Sequence, residues 1–378
     1  MYVTRLDIHN FRRFEQVRLQ PEPGLNVITG ENGAGKTSVL EALHLMAYGR
    51  SFRCRVRDGL VRTGESAIEV FVEWRDRPRS AGDAAAPPPD EAGAFARSRK
   101  AGLRHSGHAW EGKLDGHSVG HLGELCAALA VVTFEPGSHA LVVGAGEGRR
   151  RYLDWGLFHV EPDFLPLWRR YSRALRQRNA LLKVRASDDQ LDAWERELAD
   201  AGEPLGRHRE HYLAALQPGF FRLTSELAPT LGDTRLVYVP GWRRDELSLA
   251  DALLLARSRD LQAGFTSVGP HRADWRIEFS AVPGREALSR GQAKLTALTA
   301  LLAQAEHHTT VRAEWPVLCF DDLASELDRR HQRMLLKWLG DTGAQVFVTG
   351  TELPPALEEL GVPFSQFHVE QGRLHRIR

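Results

Sequence analysis

The chain has 378 residues, which is enough for two or three domains with sizeable cores. Its 50 Lys and Arg residues balance 49 Asp and Glu residues, and the formal charge of +1 excludes a uniformly basic nucleic-acid coat protein and an acidic solvating chain. The three cysteines lie far apart without metal-binding spacing, and no apolar run resembles a signal peptide or a membrane span, so the sequence predicts a soluble cytoplasmic protein.

The N-terminal third alternates between strand and helix patterns. Residues 1–30 have the alternating apolar and polar pattern of β-strands, and the last of these strands, LNVIT, ends at Gly30. The next segment, TSVLEALHLMAY, has apolar residues at helical spacing. Strand patterns return at 66–74 and around 108–119. Between them, residues 77–100 are rich in Ala, Pro, Gly and Asp, which favours a mobile loop.

A helical segment divides the chain. Residues from about 147 to 258 have long helical patterns rich in Leu, Arg, Glu and Ala, and strand patterns return from about 262. The sequence therefore predicts an α/β domain interrupted by a second, helical domain. Its N-terminal half is expected at 1–146, the inserted domain at 147–261 and its C-terminal half at 262–378.

The strongest motif is a complete GxxxxGKT sequence between a predicted strand and a predicted helix. Glycines let backbone N–H groups surround a phosphate, and the helix N-terminus adds a favourable dipole. In such a P-loop, Lys36 would reach the β- and γ-phosphates and Thr37 would ligate Mg²⁺. The sequence therefore predicts an ATP site at Gly30, Glu31, Asn32, Gly33, Ala34, Gly35, Lys36 and Thr37.

The segment PVLCFDD supplies the acidic groups that a P-loop requires. Four apolar residues predict a buried strand, and two aspartates follow it. We expect Asp321 to hold Mg²⁺ and Asp322 to act catalytically by polarising the attacking water. Taken alone, the same pattern is equally typical of a strand followed by a turn, and its pairing with the P-loop favours the metal site.

The segment LSRGQ precedes a long predicted helix. Read alone, Ser289 is an ordinary helix cap. With the P-loop, the FDD strand and the later SELD sequence, however, the order of motifs resembles that of ABC-type ATPases. In those proteins the signature motif binds the γ-phosphate held by the partner subunit, so two nucleotides lie between two subunits. The corresponding residues are Ser289, Arg290, Gly291 and Gln292.

The spacing of the motifs distinguishes the ABC-type classes. Ser289 follows Lys36 by 253 residues, a longer gap than in transporter subunits. The gap lacks the long heptad repeats of chromosome-structure proteins of the SMC type, so it can hold a compact helical domain but no long coiled-coil arm.

The whole chain resembles the RecF family of bacterial recombination-repair proteins. The matching segments extend from the first strand to the last third of the chain, and the resemblance covers nearly everything except the 77–100 loop. They are LDIHNFRRFE at 6–15, GLNVITGENGAGKTSVLEALHLMAYGRSFR at 24–53, GRRRYLDWGLFHVEP at 148–162, WRRYSRALRQRNALL at 168–182, SVGPHRADW at 267–275, LSRGQAKL at 288–295 and FDDLASELD at 320–328.

The resemblance implies an ABC-type P-loop ATPase head split by an inserted helical domain. It also implies a weak ATPase that uses ATP and Mg²⁺, forms a homodimer with ATP and binds double-stranded DNA, gapped DNA and single-strand/double-strand junctions. The implied partners are the RecO and RecR proteins, with which such a protein helps to load recombinase in repair and at replication forks; no membrane partner is implied.

Arginines give a separate indication of DNA binding. Arg149, Arg150 and Arg151 are consecutive, and more arginines follow among aromatic residues at 169, 170, 173, 176 and 178. Such a surface can contact phosphates without reading bases. The alternative is a solvated helix face held by salt bridges.

Three departures from transporter-type ATPases are visible. Asp322 is one methylene shorter than the usual catalytic glutamate, which favours slow hydrolysis. Thr349 and Thr351 occupy the region of the usual histidine, and no glutamine follows VVTF at 131–134. Phosphate sensing by a histidine remains an alternative to an ordinary structural role at positions 271, 307, 308 and 331.

Two other functions compete with a DNA clamp. An ATPase subunit of a membrane transporter would need a surface for a membrane partner, and the long insertion between the P-loop and LSRGQ argues against it. An ATPase head that drives a nuclease would need a further carboxylate cluster, which the sequence does not contain.

Overall fold

The computed structural model describes residues 1–54, 56, 59–75 and 98–378. The predicted loop at 77–100 lies outside the described residues except for its last three positions, which belong to a strand. The described strands are β1 (Tyr2–Phe11), β2 (Phe14–Leu19), β3 (Leu25–Thr29), β4 (Ile68–Arg75), β5 (Ser98–His105), β6 (Trp110–Leu114), β7 (His117–Ser118), β8 (Val131–Phe134), β9 (Thr234–Val239), β10 (Asp274–Phe279), β11 (Val317–Phe320), β12 (Val346–Gly350), β13 (Phe364–Glu370) and β14 (Arg373–Arg376).

The described α-helices include a group of long helices between residues 146 and 263. Across the same described residues, no helix is long and apolar enough to cross a membrane. The helices are α1 (Lys36–Tyr48), α2 (Leu122–Ala128), α3 (Ala140–Val143), α4 (Gly146–Val160), α5 (Phe164–Lys183), α6 (Asp188–Leu227), α7 (Leu249–Ala263), α8 (Arg290–Arg312), α9 (Leu323–Glu326), α10 (Arg329–Thr342) and α11 (Pro355–Leu360).

The chain forms two compact units. The ATPase unit contains Met1–Gly137 and His308–Arg378, and the helical unit contains Ser138–His307. The sequence predicted divisions after 146 and after 261, whereas the structure divides the chain after 137 and after 307. The physical reason is strand pairing, because β10 pairs antiparallel with β9 of the helical unit. The LSRGQ motif, predicted to lie in the C-terminal half of the ATPase domain, belongs to the helical unit.

The central sheet of the ATPase unit has the strand order β14-β13-β3-β12-β11-β8. Its strands β13, β3, β12, β11 and β8 are parallel, and only β14 is antiparallel to its neighbour. The strands β3, β8, β11 and β12 are buried on both faces and are rich in Val, Ile, Leu and Phe, as is usual in parallel sheets. The P-loop after β3 and the aspartates after β11 therefore come to the same edge of one sheet.

A second sheet of the ATPase unit is antiparallel, in the order β2-β1-β4-β5-β6-β7. Strand β4 alternates between buried apolar residues and more exposed, mostly polar ones, so the sheet has one face against the core. Gln345, which is 2% exposed, joins the two sheets. Its amide oxygen accepts from the Val3 N–H at 2.7 Å, and its amide nitrogen donates to the carbonyls of Val3 at 2.8 Å and Glu22 at 3.0 Å.

Buried ion pairs hold the helices of the helical unit together. Arg178 of α5 is completely buried and donates to Glu195 of α6 at 2.8 Å and Asp260 of α7 at 2.8 Å. Arg209 of α6 makes a two-point contact with Asp154 of α4 at 2.8 and 2.9 Å. Because a buried charge is tolerated only with such partners, these pairs set how the helices pack.

Candidate nucleotide-binding site

The P-loop connects the end of β3 to the start of α1. Gly30 and Gly35 have φ values of 149° and 123°, which side-chain-bearing residues rarely adopt. A Cβ on Gly30 would lie 2.3 Å from the Val369 carbonyl oxygen, and one on Gly35 would lie 2.7 Å from the Phe14 ring. Both positions therefore require glycine, and the loop brings backbone N–H groups to the N-terminus of α1.

A cavity of about 710 Å³ lies at this loop. It combines the P-loop with the residues that follow β11 and β12, as expected from the parallel order of the sheet. Of the predicted motif, Glu31 and Ala34 instead line a neighbouring cavity of about 590 Å³, which Asn32 also borders. The larger cavity is lined by Asn32, Gly33, Gly35, Lys36, Thr37, Ser38, Asp321, Asp322 and Thr349, among others.

The Lys36 side chain is only 8% exposed and lies within the P-loop. Its ammonium donates to the carbonyl oxygens of Gly30 at 2.7 Å and Glu31 at 2.9 Å. Burial lowers the pKa of Lys36, and the negative charges of Asp322 and Asp321 oppose that change. The loop thus holds a cation where a polyphosphate would be surrounded by backbone N–H groups.

Asp321 connects the P-loop helix to the neighbouring strand. Its Oδ1 accepts from the Thr37 hydroxyl at 2.9 Å and from the Thr349 hydroxyl at 2.7 Å. Burial raises the pKa of Asp321, while these two hydrogen bonds and the positive charge of Arg53 oppose the increase. The structure thus brings Thr37 and Asp321 together, as the sequence predicted for a metal site.

Asp322 begins α9 in a left-handed backbone conformation, with φ 52° and ψ 47°. Its backbone N–H donates to the Thr349 hydroxyl at 2.8 Å. The residue lines the cavity beside Asp321. The short turn thus places a second acidic residue in the same cavity as Asp321 and Lys36.

The cavity is also lined by several residues that the sequence patterns did not predict. They come from the β1–β2 turn, from the segment after α1 and from the residue after β8. The β11–β8 register pairs Phe320 with Phe134, so this last residue, Glu135, follows a strand end beside that of Asp321. The sequence signal that could have identified Glu135 was its position directly after the predicted strand VVTF, because parallel strands end at the same edge of a sheet. The unpredicted lining residues include Arg12, Arg13, Phe52, Arg53 and Glu135.

The predicted signature residues lie at the N-terminus of α8 in the helical unit. The Gln292 N–H donates to the Ser289 hydroxyl at 3.2 Å, and the Ser289 N–H donates to the Gln292 side-chain oxygen at 2.9 Å. This reciprocal pair has the form of a capping box. Ser289, Arg290 and Gly291 are exposed, so this helix start is available to a ligand.

The structure corrects the prediction that Arg149 faces DNA. Arg149 is 2% exposed, and its guanidinium makes a two-point contact with Asp274 at 2.7 and 2.8 Å. Arg150 is half-buried and donates to the Ala273 carbonyl at 2.8 Å. Arg151 is exposed and paired with Glu147. All three arginines of this run thus bind groups within the helical unit.

His271, one of the histidines considered as a phosphate sensor, has a structural role. Its Nε2–H donates to the Thr266 carbonyl at 2.9 Å, which leaves Nδ1 to accept from the Tyr171 hydroxyl at 2.7 Å. Burial lowers the pKa of His271 to about 4. The ring is therefore neutral near pH 7, with both nitrogens occupied.

The chain resembles proteins of DNA repair over nearly its whole length. Residues 2–372 match the RecF/RecN/SMC N terminal domain family. The chain is 63% identical over 374 residues to the "DNA replication and repair protein RecF" of Stenotrophomonas maltophilia (strain R551-3), with 99% of each chain covered. The solved "Structure of the recombination mediator protein RecF-ATP in RecFOR pathway" has a TM-score of 0.85 and 26% identity, covering 100% of this chain and 98% of that one.

A more distant likeness concerns the fold alone. The crystal structure of an Smc head bound to the C-winged helix domain of ScpA has a TM-score of 0.59 and 15% identity, covering 100% of this chain and 97% of that one. Together these similarities confirm the predicted ABC-type ATPase head with an inserted domain. They give no support to the alternative of a membrane-transporter subunit.

The P-loop assignment predicts that Lys36→Ala abolishes tight ATP binding without unfolding the protein. A hydrogen bond to a charged group contributes about 1.5–3 kcal/mol, so loss of the ammonium should weaken ATP binding by at least about tenfold. Calorimetric titration with ATP measures the change. Lys337→Ala, at an exposed lysine of α10, is the matched control and should bind ATP normally. Normal ATP affinity in Lys36→Ala would contradict the assignment.

Proposed function

The chain belongs to the RecF family of DNA replication and repair proteins, and on this basis we propose that ATP binding closes a dimer of the chain on double-stranded or gapped DNA. Slow ATP hydrolysis then opens the dimer and releases the DNA. The observation that carries this proposal is the meeting of Thr37 and Asp321 at the P-loop cavity, with 2.9 Å between their oxygens. Through this hydrogen bond, a nucleotide bound at the P-loop would be linked to the residues that follow β11.

The same two residues fit a magnesium ion. Mg²⁺ prefers oxygen ligands and keeps several waters, with one or two protein oxygens and the nucleotide phosphates completing its sphere. Thr37 and Asp321 offer a hydroxyl and a carboxylate at one place. When bound, Mg²⁺ would neutralise phosphate charge. Lys36 would contact the β- and γ-phosphates from within the loop.

Asp322 is the residue that we propose as the catalytic carboxylate. It lines the cavity beside Asp321, and its left-handed turn directs the chain away from β11 into α9. A carboxylate here can orient the attacking water and accept its proton. The short side chain is consistent with a slow ATPase that serves as a switch.

Asp322→Asn tests this role. The amide keeps the size of the side chain but cannot accept a proton, so turnover should fall by about 100-fold or more while ATP still binds. Single-turnover hydrolysis and equilibrium ATP titration measure the two effects separately. Asp341→Asn, at an exposed aspartate of α10, should leave both unchanged. Near-normal turnover in Asp322→Asn would remove the residue from catalysis.

The exposed start of α8 supports an ATP-dependent homodimer. We propose that Ser289, Arg290, Gly291 and Gln292 contact the nucleotide held by the other copy, as signature motifs do in ABC-type ATPases. Exposed backbone N–H groups and a hydroxyl at a helix N-terminus favour an anionic ligand such as a γ-phosphate.

Ser289→Arg should therefore prevent ATP-induced dimerisation and leave ATP binding by the monomer intact. Analytical ultracentrifugation with and without ATP gives the dimer fraction. Ser248→Arg is the matched control, because Ser248 is also an exposed cap in the helical unit and accepts from the Asp251 N–H at 3.1 Å. If Ser289→Arg dimerised like the control, the proposed contact in trans would be excluded.

Helix α5 offers a surface that fits DNA better than Arg149. Its buried side contains Tyr171, Ala174, Arg178 and Leu182. On the opposite face, three exposed arginines follow the i, i+4, i+7 spacing that aligns side chains along a helix. This arginine stripe consists of Arg169, Arg173 and Arg176.

We propose that the arginine stripe contacts the phosphate backbone of DNA. Its three residues span about 10 Å at the helical rise of about 1.5 Å per residue, the length of about three base pairs. Nearby, Arg170 is already paired with Glu197 at 2.6 Å, and Arg173 lies close enough to help lower the pKa of that carboxyl. The stripe therefore keeps a net positive charge.

Alanine substitution along the arginine stripe should weaken binding of every DNA sequence alike. Each lost phosphate contact should reduce the steepness of log affinity against log salt concentration by about 0.9. The triple variant should therefore show a reduction of about 2.7. Fluorescence anisotropy on a gapped duplex at several salt concentrations measures both. Arg207→Ala is a control, because Arg207 is exposed on α6 and lies near Glu203. An unchanged slope in the triple variant would place the DNA elsewhere.

The relatives indicate which protein partners to expect. The solved RecF structure is named for the RecFOR pathway. For this chain we propose RecO and RecR proteins as partners in loading recombinase on gapped DNA. Because chromosomal DNA in bacteria is cytoplasmic, we also propose a cytoplasmic location.

A further inference from the structure

Thr349 is the second-last residue of β12 and is hydrogen-bonded to both aspartates of the cavity. It is 1% exposed. The parallel register pairs Phe320 of β11 with Val348 of β12, so Asp321, the residue after Phe320, lies beside Thr349, the residue after Val348. Thr349 and Asp321 are therefore brought together by sheet pairing between segments 28 residues apart in sequence.

The hydroxyl of Thr349 has a fixed role in each of its two hydrogen bonds. A backbone N–H can only donate, so the Thr349 oxygen accepts from the Asp322 N–H at 2.8 Å. The single hydroxyl hydrogen is then available to the Asp321 carboxylate, whose Oδ1 lies at 2.7 Å. One buried hydroxyl thus fixes the side chain of Asp321 and the backbone of Asp322.

Both of these residues need such support. Asp322 has φ 52° without being glycine, a conformation that persists when surrounding contacts hold it. Asp321 accepts from the Thr37 hydroxyl as well, but Thr37 is also the residue proposed to turn its oxygen toward Mg²⁺. Thr349 has no such second task and can hold Asp321 throughout.

We propose that Thr349 is a positioning residue for ATP hydrolysis, which orients Asp321 toward the metal position and sets the turn that presents Asp322 to water. The proposal rests on the proposed ATPase function of the cavity. It gives the threonine a hydrogen-bonding task in the region where transporter-type ATPases carry a histidine.

The comparison of Thr349→Val with Thr349→Ser tests the proposal. Valine keeps the branched shape but removes both hydrogen bonds, whereas serine retains the hydroxyl. Because loss of a residue that orients a metal ligand lowers metal affinity or activity by about 10–100-fold, Thr349→Val should lose at least about tenfold in turnover and in Mg²⁺-dependent ATP affinity. ATP affinity in excess chelator should stay within about twofold of wild type, and Thr349→Ser should recover most of the loss.

A measurement without nucleotide examines the backbone contact directly. The Asp322 N–H should exchange with solvent at least about tenfold faster in Thr349→Val than in wild type or Thr349→Ser, because its acceptor is gone. Thr133→Val is the matched control. It removes another buried hydroxyl from the same sheet, one that bonds His44 Nδ1 at 3.0 Å, and should change neither turnover nor exchange at Asp322.

The double variant Thr349→Val/Asp322→Asn separates positioning from general destabilisation. If Thr349 acts through Asp322, its removal should cost clearly less turnover in the Asp322→Asn background than in wild type. The role of Thr349 would be overturned if Thr349→Val lowered turnover by the same factor in both backgrounds. It would also be overturned if Thr349→Val had normal turnover. Provided that wild type binds and hydrolyses ATP, either result would leave the proposed function intact. Absence of ATP binding by wild type would instead overturn the proposed function together with this role.

Discussion

The hydrogen bonds to one oxygen of Asp321 join three segments of the ATPase unit. Thr37 lies in the first turn of α1, Asp321 follows β11 and Thr349 is the second-last residue of β12, and both hydroxyls donate to the same carboxylate. Each segment alone is a strand end or a helix start. Their junction ties the phosphate-binding loop directly to the ends of two neighbouring strands, and the three side chains form one connected hydrogen-bond network.

This junction depends on the parallel sheet and on close backbone contacts around it. β3, β12 and β11 are neighbours in one sheet, so their ends meet at one edge. Glycine at position 30 lets the P-loop approach Val369 of β13, and Gln345 fastens the start of β12 to Val3. The cavity is therefore shaped by segments from both ends of the chain, which explains why the inserted helical unit can separate them in sequence.

In the helical unit, burial decides what each arginine does. Within α5, Arg178 is inaccessible and balances the charges of Glu195 and Asp260, whereas Arg169 and Arg176 point away from the buried side of the same helix. Arg149 has become part of the interior through Asp274. The arginines of these segments look alike in the sequence, but some are buried in ion pairs and others are exposed. A buried arginine in an ion pair holds helices of the unit together, whereas an exposed arginine is accessible to a phosphate group.

The sequence by itself determined the P-loop and the strand carrying Asp321 and Asp322, because these features depend on local patterns of glycine, apolar and acidic residues. It also predicted an α/β fold with a helical insertion from the change in periodicity. Only the tertiary structure decided that Thr349, Arg53 and Glu135 join the cavity, that β10 pairs within the helical unit and that Arg149 is buried. These outcomes depend on strand register and on ion pairs between distant segments, and no local pattern encodes which distant partner a side chain will meet.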